Sequence, residues 1–268
     1  MLAVPGQPIP TSGVANLRDL GGWGSADGRV VAAGKVFRSA MLGRATPEDL
    51  QRLTDLRIGT VVDLRTASER IERPDLLPDG VVTVVADVLA DYAQATPATL
   101  EKVLVDPPAA TEFLANGKAE ELLGDAYRAI VSLDSALAGY RQLFGHMLAD
   151  AGHALLFHCT TGKDRTGWGA AALLLLLGVD LEDVRAEYLR TNDQLLPALG
   201  PVFDSFAAAG GDPGVLLPVF GVRAAYLDTA LDELAVRFGS IEEYFATGLG
   251  IDHAEQETLR RRLLVEAA

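Results

Sequence analysis

The feature that most constrains this chain is an abrupt change of character at residue 158. An apolar run of strand length, Ala154 to Phe157, passes into the polar loop His158-Cys159-Thr160-Thr161-Gly162-Lys163-Asp164-Arg165-Thr166-Gly167. That loop opens directly into Trp168 to Leu177, which reads as a buried helix. The loop therefore sits between a strand end and a helix start. Free backbone N–H groups and the helix dipole favour negative charge there, on a thiolate or on an anionic ligand. Cys159 is the only cysteine in the chain.

The elements around this loop point to a single α/β domain over residues 1–268, without internal repeat or linker. Residues 1–16 read as an irregular arm. Asp27-Gly28 is a hairpin-turn signal before Val30-Val31, and Val36 to Ser39 reads as a short strand. Thr46-Pro47-Glu48-Asp49 starts a helix, with the hydroxyl as N-cap and proline at N1, and Gly59 is expected to end it. Thr60 to Leu64 is a buried strand carrying Asp63 and Arg65 at its C-terminal edge, and Val81 to Val88 is a further β-rich run. Residues 90–125 signal weakly, with Asp106-Pro107-Pro108 as a break and Asn116-Gly117 as a turn. Ala126 to Asp150 reads as one amphipathic helix, and Asp180 caps another reaching about Arg190. Thr191 to Gly221 is apolar yet punctuated by Pro and Gly, as a packed connection or a cover over a site would be. Residues 223–238 form an amphipathic helix; Ser240 with Glu243, and Asp252 with Glu255, supply capping boxes.

Composition narrows the function classes. A formal net charge of −14 argues against nucleic acid or an anionic membrane as a bulk electrostatic partner. It leaves a small anionic group open, because a local cradle of N–H groups outweighs a distant field. The apolar run Trp168 to Val179 is shorter than the ~20 residues that span a bilayer, so no stable membrane insertion is expected. One cysteine rules out an internal disulfide framework. The N-terminus has no basic region and carries prolines where an apolar core of a signal peptide would lie, so the expected location is cytoplasmic.

Two familiar phosphate or metal sites do not fit the loop. A nucleotide-binding P-loop needs glycine where Phe157 stands, and Ser or Thr where Asp164 stands. A zinc site needs more ligands than His158 and Cys159 supply. What remains is a cysteine, five residues, an arginine and a threonine. Five residues suffice to curl the backbone so that successive N–H groups point inward as an anion nest. Arg165 closes the ring with a two-pronged grip on phosphate oxygens, and Gly162 supplies a positive φ. Cys159 is the candidate nucleophile, and Thr160, Thr161, Gly162, Lys163 and Thr166 are the candidate substrate-binding set. Thr166 is placed to donate its hydroxyl to the thiolate, and His158 to fix the loop by hydrogen bonds. A buried free cysteine beside a helix cap explains Cys159 but not the Gly, Lys, Asp, Arg and Thr that follow it.

His158 to Gly167 resembles the H-C-x5-R-[ST] signature of cysteine-dependent phosphatases, and its Gly-Lys-Asp interior is similar to a bacterial tyrosine-phosphatase family whose loops read HCxxGKDRTG. The likeness extends to Asn16-Leu-Arg-Asp-Leu-Gly-Gly, to Val36-Phe-Arg-Ser, to Val61 through Glu69, and to Gly239-Ser240 with Tyr244. The resemblance implies a protein-tyrosine-phosphatase-like fold, a central mostly parallel sheet flanked by helices, with no metal or organic cofactor. It implies a phosphorylated protein or phosphoinositide as substrate, inorganic phosphate as product, and a phosphocysteine intermediate. It points to Asp164 as the general acid, although Asp134, Asp87 and Asp91 are alternatives on other segments.

Other residues keep two readings. Lys163 is a candidate contact for a second phosphate or lipid headgroup, or a solvated lysine. Asp63 is a candidate to orient Lys163 or Arg165, or to cap the helix begun by Thr66 and Ser68. Arg18-Asp19 and Arg38 either buttress the site or form ordinary ion pairs. Residues 191–221 resemble the region where family members carry a helical lid. Two other classes remain: a phosphate-ester-binding module without turnover, which would usually lose Cys or Arg, and a sulfurtransferase-like thiolate protein, which favours a shorter loop.

Overall fold

A computed structural model describes residues 4–92, 106–149 and 152–267 of the chain. Five strands form the main sheet in the order β1 (Arg18–Asp19), β3 (Val36–Ser39), β6 (Ala154–His158), β4 (Ile58–Asp63), β5 (Val82–Val85). The pairs of β3 with β6, β6 with β4, and β4 with β5 are parallel; β1 alone runs antiparallel. β2 (Arg29–Val31) pairs instead with β7 (Leu264–Glu266) at three positions, a pairing that the sequence does not announce.

Strand periodicity divides the core between the two faces of the sheet. Val36, Val62, Leu155 and Phe157 pack into the larger cluster, under the helices Lys118–Ser132, Asp134–Leu148, Asp164–Leu176 and Ala224–Arg237. Phe37, Val61 and Leu156 point to the opposite face and meet Leu53 of the helix Pro47–Asp55. β6 is fully buried along its length. The helix after it buries residues all round, which is why that stretch is apolar without a polar face.

Local sequence signals set most of the element ends. Thr46 and Asp49 form a reciprocal capping box with Pro47 at N1, and Asp252 with Glu255 forms another. Ser240 accepts from the Glu243 N–H, without the return bond. Asp180 stands at an N-cap position but makes no side-chain cap bond. Three expectations are corrected. The helix from Pro47 ends because Arg57 takes φ +58°; Gly59 lies inside β4, where a Cβ would strike the His153 ring at 2.3 Å. The single helix expected over 126–150 is two helices, broken at Leu133 (φ −64°, ψ 146°). Asp91 stabilises that break by accepting from the Ser135 N–H, and the break puts Asp134 in the first turn of the second helix. The helix expected to reach about Arg190 runs from Leu181 to Leu195, into the Pro- and Gly-punctuated stretch.

The remainder of 191–221 consists of short helical pieces: Leu196–Leu199, Gly200–Ala208, Pro213–Leu216 and Leu217–Phe220. Phe206, Leu216 and Phe220 make a small separate cluster with Ala110, Leu114 and Ala119, from the helices Pro107–Leu114 and Lys118–Ser132. Pro213 to Arg237 has the length and mean hydropathy of a bilayer span, but extended residues at Gly221 to Arg223 interrupt it and 44% of its apolar window is buried in the protein. Residues 93–105, within the weakly signalled stretch 90–125, lie outside the described residues.

Candidate active site

The loop from Cys159 to Arg165 lies at the C-terminal edge of β6, the middle strand, flanked by Ser39 at the end of β3 and Asp63 at the end of β4. Cys159 is 1% exposed and belongs to the large core cluster. Gly162 adopts φ +65°, as its place in the loop requires, and a Cβ there would sit 2.3 Å from the Ser39 carbonyl oxygen. Among the described residues, the backbone N–H groups of Thr160 through Thr166 donate to no protein acceptor. The first such bond of the helix is Gly167 N–H to Lys163 O, 2.8 Å. A run of unspent donors at a helix start is the nest that an anion needs.

Arg165 is held from the side by a residue that the sequence reading did not single out as part of the site. Glu69, on the helix Ala67–Glu72, accepts from Arg165 Nη1 and Nη2 at 2.7 Å each, and also from the Thr160 hydroxyl. Burial alone would raise the Glu69 carboxyl; the Arg165 hydrogen bonds and charge, then Thr160 and the Thr66 N–H, hold it well below the usual range. Burial likewise works against the Arg165 cation, but Glu69, Cys159 and Asp164 together hold its pKa above the ordinary value. Guanidinium has five N–H donors, so Arg165 keeps its Nε edge for another acceptor.

The back of the loop is braced by charge. Asn16 Nδ2 donates to Gly162 O (2.9 Å) and Thr161 O (3.3 Å), and Arg38 Nη2 donates to Gly162 O at 2.6 Å. Glu187, on the helix Leu181–Leu195, joins Arg18 and Arg38 at 2.7 Å each, and all three are essentially inaccessible to solvent. Two guanidiniums against one carboxylate leave a net positive charge behind the loop. Burial, with Arg38 beside it, brings the Arg18 pKa down to about 10. Arg18 and Arg38 thus buttress the site. Asp19 does not: it accepts from the Gly21 and Gly34 N–H groups at the other end of β1.

Asp164 stands in the first helical turn, partly exposed, and its Oδ1 accepts from the Tyr127 hydroxyl at 2.8 Å and lies 3.1 Å from Lys163 Nζ. Lys163 is neither solvated nor directed at open space. It is buried, and its ammonium donates to Val219 O (2.8 Å) and Gly221 O (3.1 Å), tying the loop to the end of the 191–221 segment. Thr166 Oγ1 is buried and has no hydrogen-bond partner among the described residues, the Cys159 sulfur included.

Asp63 requires correction. It reaches neither Lys163 nor Arg165, and Thr66 caps the following helix. Its carboxylate instead takes the Arg65 side chain, through Nε at 2.9 Å and Nη2 at 2.8 Å. Arg65 Nη2 also lies 2.9 Å from Asp75, and Asp75 lies 3.0 Å from His158 Nε2. Asp63, Asp75 and His158 converge closely enough to suit a metal, but the Arg65 guanidinium already supplies the cation between both carboxylates. His158 contributes to the loop through Nδ1, 3.2 Å from Cys159 O. Of the alternative acids, Asp91 bonds Ser135, Asp87 accepts from the Ala67 and Leu89 N–H groups, and Asp134 occupies a helix start.

The chain is similar to known phosphatases along most of its length. The PtpB of Mycobacterium tuberculosis, named a triple specificity protein phosphatase, is 30% identical over 94% of this chain and 97% of its own. A tyrosine-protein phosphatase of Nostoc commune is 30% identical over 87% of this chain and 75% of its own. A Cupriavidus necator protein with the provisional name of tyrosine-protein phosphatase is 33% identical over 90% of this chain and 84% of its own. The tyrosine phosphatase family profile spans residues 9–265, and the chain belongs to that family.

Proposed function

We propose that this phosphatase hydrolyses phosphotyrosine in proteins, and phosphoserine or phosphoinositide esters as well, through a phosphocysteine intermediate and without a metal. The observation that carries the reading is the run of unspent N–H donors from Thr160 to Thr166, which starts next to Cys159 and includes Arg165, whose guanidinium is fixed by Glu69. Three non-bridging phosphoryl oxygens need that many fixed donors, and donors set in place before reaction cost no reorganisation during it.

Cys159 Sγ attacks phosphorus in line as the P–O bond to the leaving group breaks. The Asp164 carboxyl gives its proton to the departing oxygen. Water then attacks phosphorus, its proton passes to the Asp164 carboxylate, and the S–P bond breaks to return the thiolate and release inorganic phosphate. The breadth of substrate draws on the triple specificity in the name of the Mycobacterium tuberculosis relative. Lys163, spent on carbonyl groups, gives little support to a second-phosphate contact unless residues 217–221 move.

The test is Cys159→Ser with p-nitrophenyl phosphate, with and without chelator, beside phosphate binding by calorimetry. Abolished turnover with retained phosphate binding is expected, and the wild type should ignore the chelator. Retained turnover in the variant would overturn the nucleophile. Phosphate binding with no wild-type turnover would favour a binding module. A panel of phosphopeptides and phosphoinositides then ranks the substrates.

A further inference from the structure

Asp164 is held by its chain neighbour Lys163 and by Tyr127, 37 positions away, and both contacts fall on one of its two oxygens. Tyr127, from the helix Lys118–Ser132, and Lys163 both meet Oδ1. Among the described residues, Oδ2 receives no hydrogen bond. Behind Tyr127, the Tyr188 hydroxyl lies 2.5 Å from the Tyr127 hydroxyl. Both rings are buried, at right angles to one another, while the Asp164 side chain is 29% exposed.

We propose that Tyr127 is a positioning residue for the general acid, fixing Asp164 by Oδ1 so that Oδ2 is the oxygen that gives and takes the proton. An ionised carboxylate only accepts, so Tyr127 donates to it, and Tyr188 in turn donates to Tyr127. Burial, and then the charge of Asp164, keep both phenols well above their ordinary pKa, so neither loses its proton during turnover. When Oδ2 is protonated, Oδ1 is a carbonyl oxygen and still accepts from Tyr127 and Lys163. The same contacts therefore hold both protonation states, and the carboxyl need not rotate between giving a proton to the leaving group and taking one from water. Lys163, anchored at Val219 and Gly221, holds the second side of the same oxygen.

This rests on Asp164 being the general acid, and one series of measurements separates the two claims. kcat/KM is measured for aryl phosphates whose leaving groups range from strongly acidic phenols to phenol itself, for wild type, Tyr127→Phe and Asp164→Asn. A proton donor matters most for the least acidic leaving group. Tyr127→Phe should lower kcat/KM for phenyl phosphate by about 10-fold or more, while the most acidic leaving group changes less than about twofold. Asp164→Asn should show a steeper dependence still, and adding Tyr127→Phe to it should steepen nothing further. If Asp164→Asn steepens the dependence and Tyr127→Phe does not, the positioning role is overturned alone. If Asp164→Asn leaves it flat, both claims fall. Should Tyr127→Phe not fold, Tyr188→Phe removes the donor behind Tyr127 with its ring intact, and the same, smaller steepening is expected; equal loss for every ester would overturn the proposal.

Discussion

Glu69 and Arg165 face each other through two parallel contacts, Oε2 to Nη1 and Oε1 to Nη2, each 2.7 Å. This fork-to-fork geometry fixes the plane of the guanidinium as well as its position. It leaves the Nε edge clear of Glu69, so under the proposed mechanism Arg165 would meet phosphate already oriented.

Removing that hold should cost catalysis more than folding. Glu69→Ala is expected to lower kcat/KM for an aryl phosphate by about 10- to 100-fold, roughly 1.4–2.7 kcal/mol of transition-state stabilisation. Glu69→Gln, which keeps one acceptor, should lose less. Steady-state kinetics on the two variants checks this; an unchanged kcat/KM for Glu69→Ala would show that Arg165 orients itself.

Glu187 has the opposite balance. Replacing it with Gln leaves Arg18 and Arg38 buried without a counter-charge, beside the Gly162 carbonyl they brace. Breaking one partner of such a buried pair costs about 3–5 kcal/mol, a large share of the ~5–15 kcal/mol that holds a domain folded. Urea unfolding of Glu187→Gln should show a lower midpoint at unchanged slope. A midpoint equal to wild type would mean the network is stabilised by something other than its charges.

The contrast between Glu69 and Glu187 shows what was legible in the sequence. The strand, loop and helix around Cys159 could be read because each residue type there serves one local requirement, from the apolar β6 to the positive φ of Gly162. Glu69 closed the motif beginning at Val61, yet its role depends on a contact 96 positions away. Glu187 sits in the helix that follows Asp180, where nothing local marks it; only the meeting of β1, β3 and that helix buries it. Asp63 was misassigned for the same reason. The strand end placed it near the loop, but its own neighbour Arg65 captured the carboxylate. Lys163 on its own suggests a substrate contact or a solvated lysine, because nothing local reveals the carbonyls of Val219 and Gly221.

Gly162→Ala should disable the loop without removing a chemical group. The residue is held at φ +65°, which strains an L side chain, and the new Cβ would lie 2.3 Å from backbone at Ser39. Backbone cannot rotate away as a side chain can. Strain of this kind costs about 1–3 kcal/mol, and shifting the loop to relieve it breaks the Asn16 and Arg38 bonds to Gly162 O. Turnover and phosphate affinity should both fall by at least about tenfold; full activity would mean that the loop relaxes without loss of its geometry.

Three carboxylates around the loop, Glu187 buried and Glu69 and Asp75 half-buried, give stability a defined dependence on pH. Burial acts to raise each of them, but Arg165 holds Glu69 below the usual range, His158 and then Arg65 hold Asp75 below it, and Arg18 with Arg38 holds Glu187 below it. A carboxyl whose folded pKa is depressed binds fewer protons folded than unfolded, so its contribution is complete above the unfolded value, about 4–4.5, and is lost as pH falls toward the folded one. The formal net charge of −14 acts the other way at higher pH, since titrating surface carboxylates first relieves repulsion. Stability should therefore hold or rise from pH 7 to about 5 and fall steeply below about 4.5. Thermal unfolding across that range tests this, with Asp75→Asn as the comparison. The variant starts lower but should lose less on acidification, because one of the three carboxylates no longer takes up a proton; an equally steep acid fall would assign the loss to other groups.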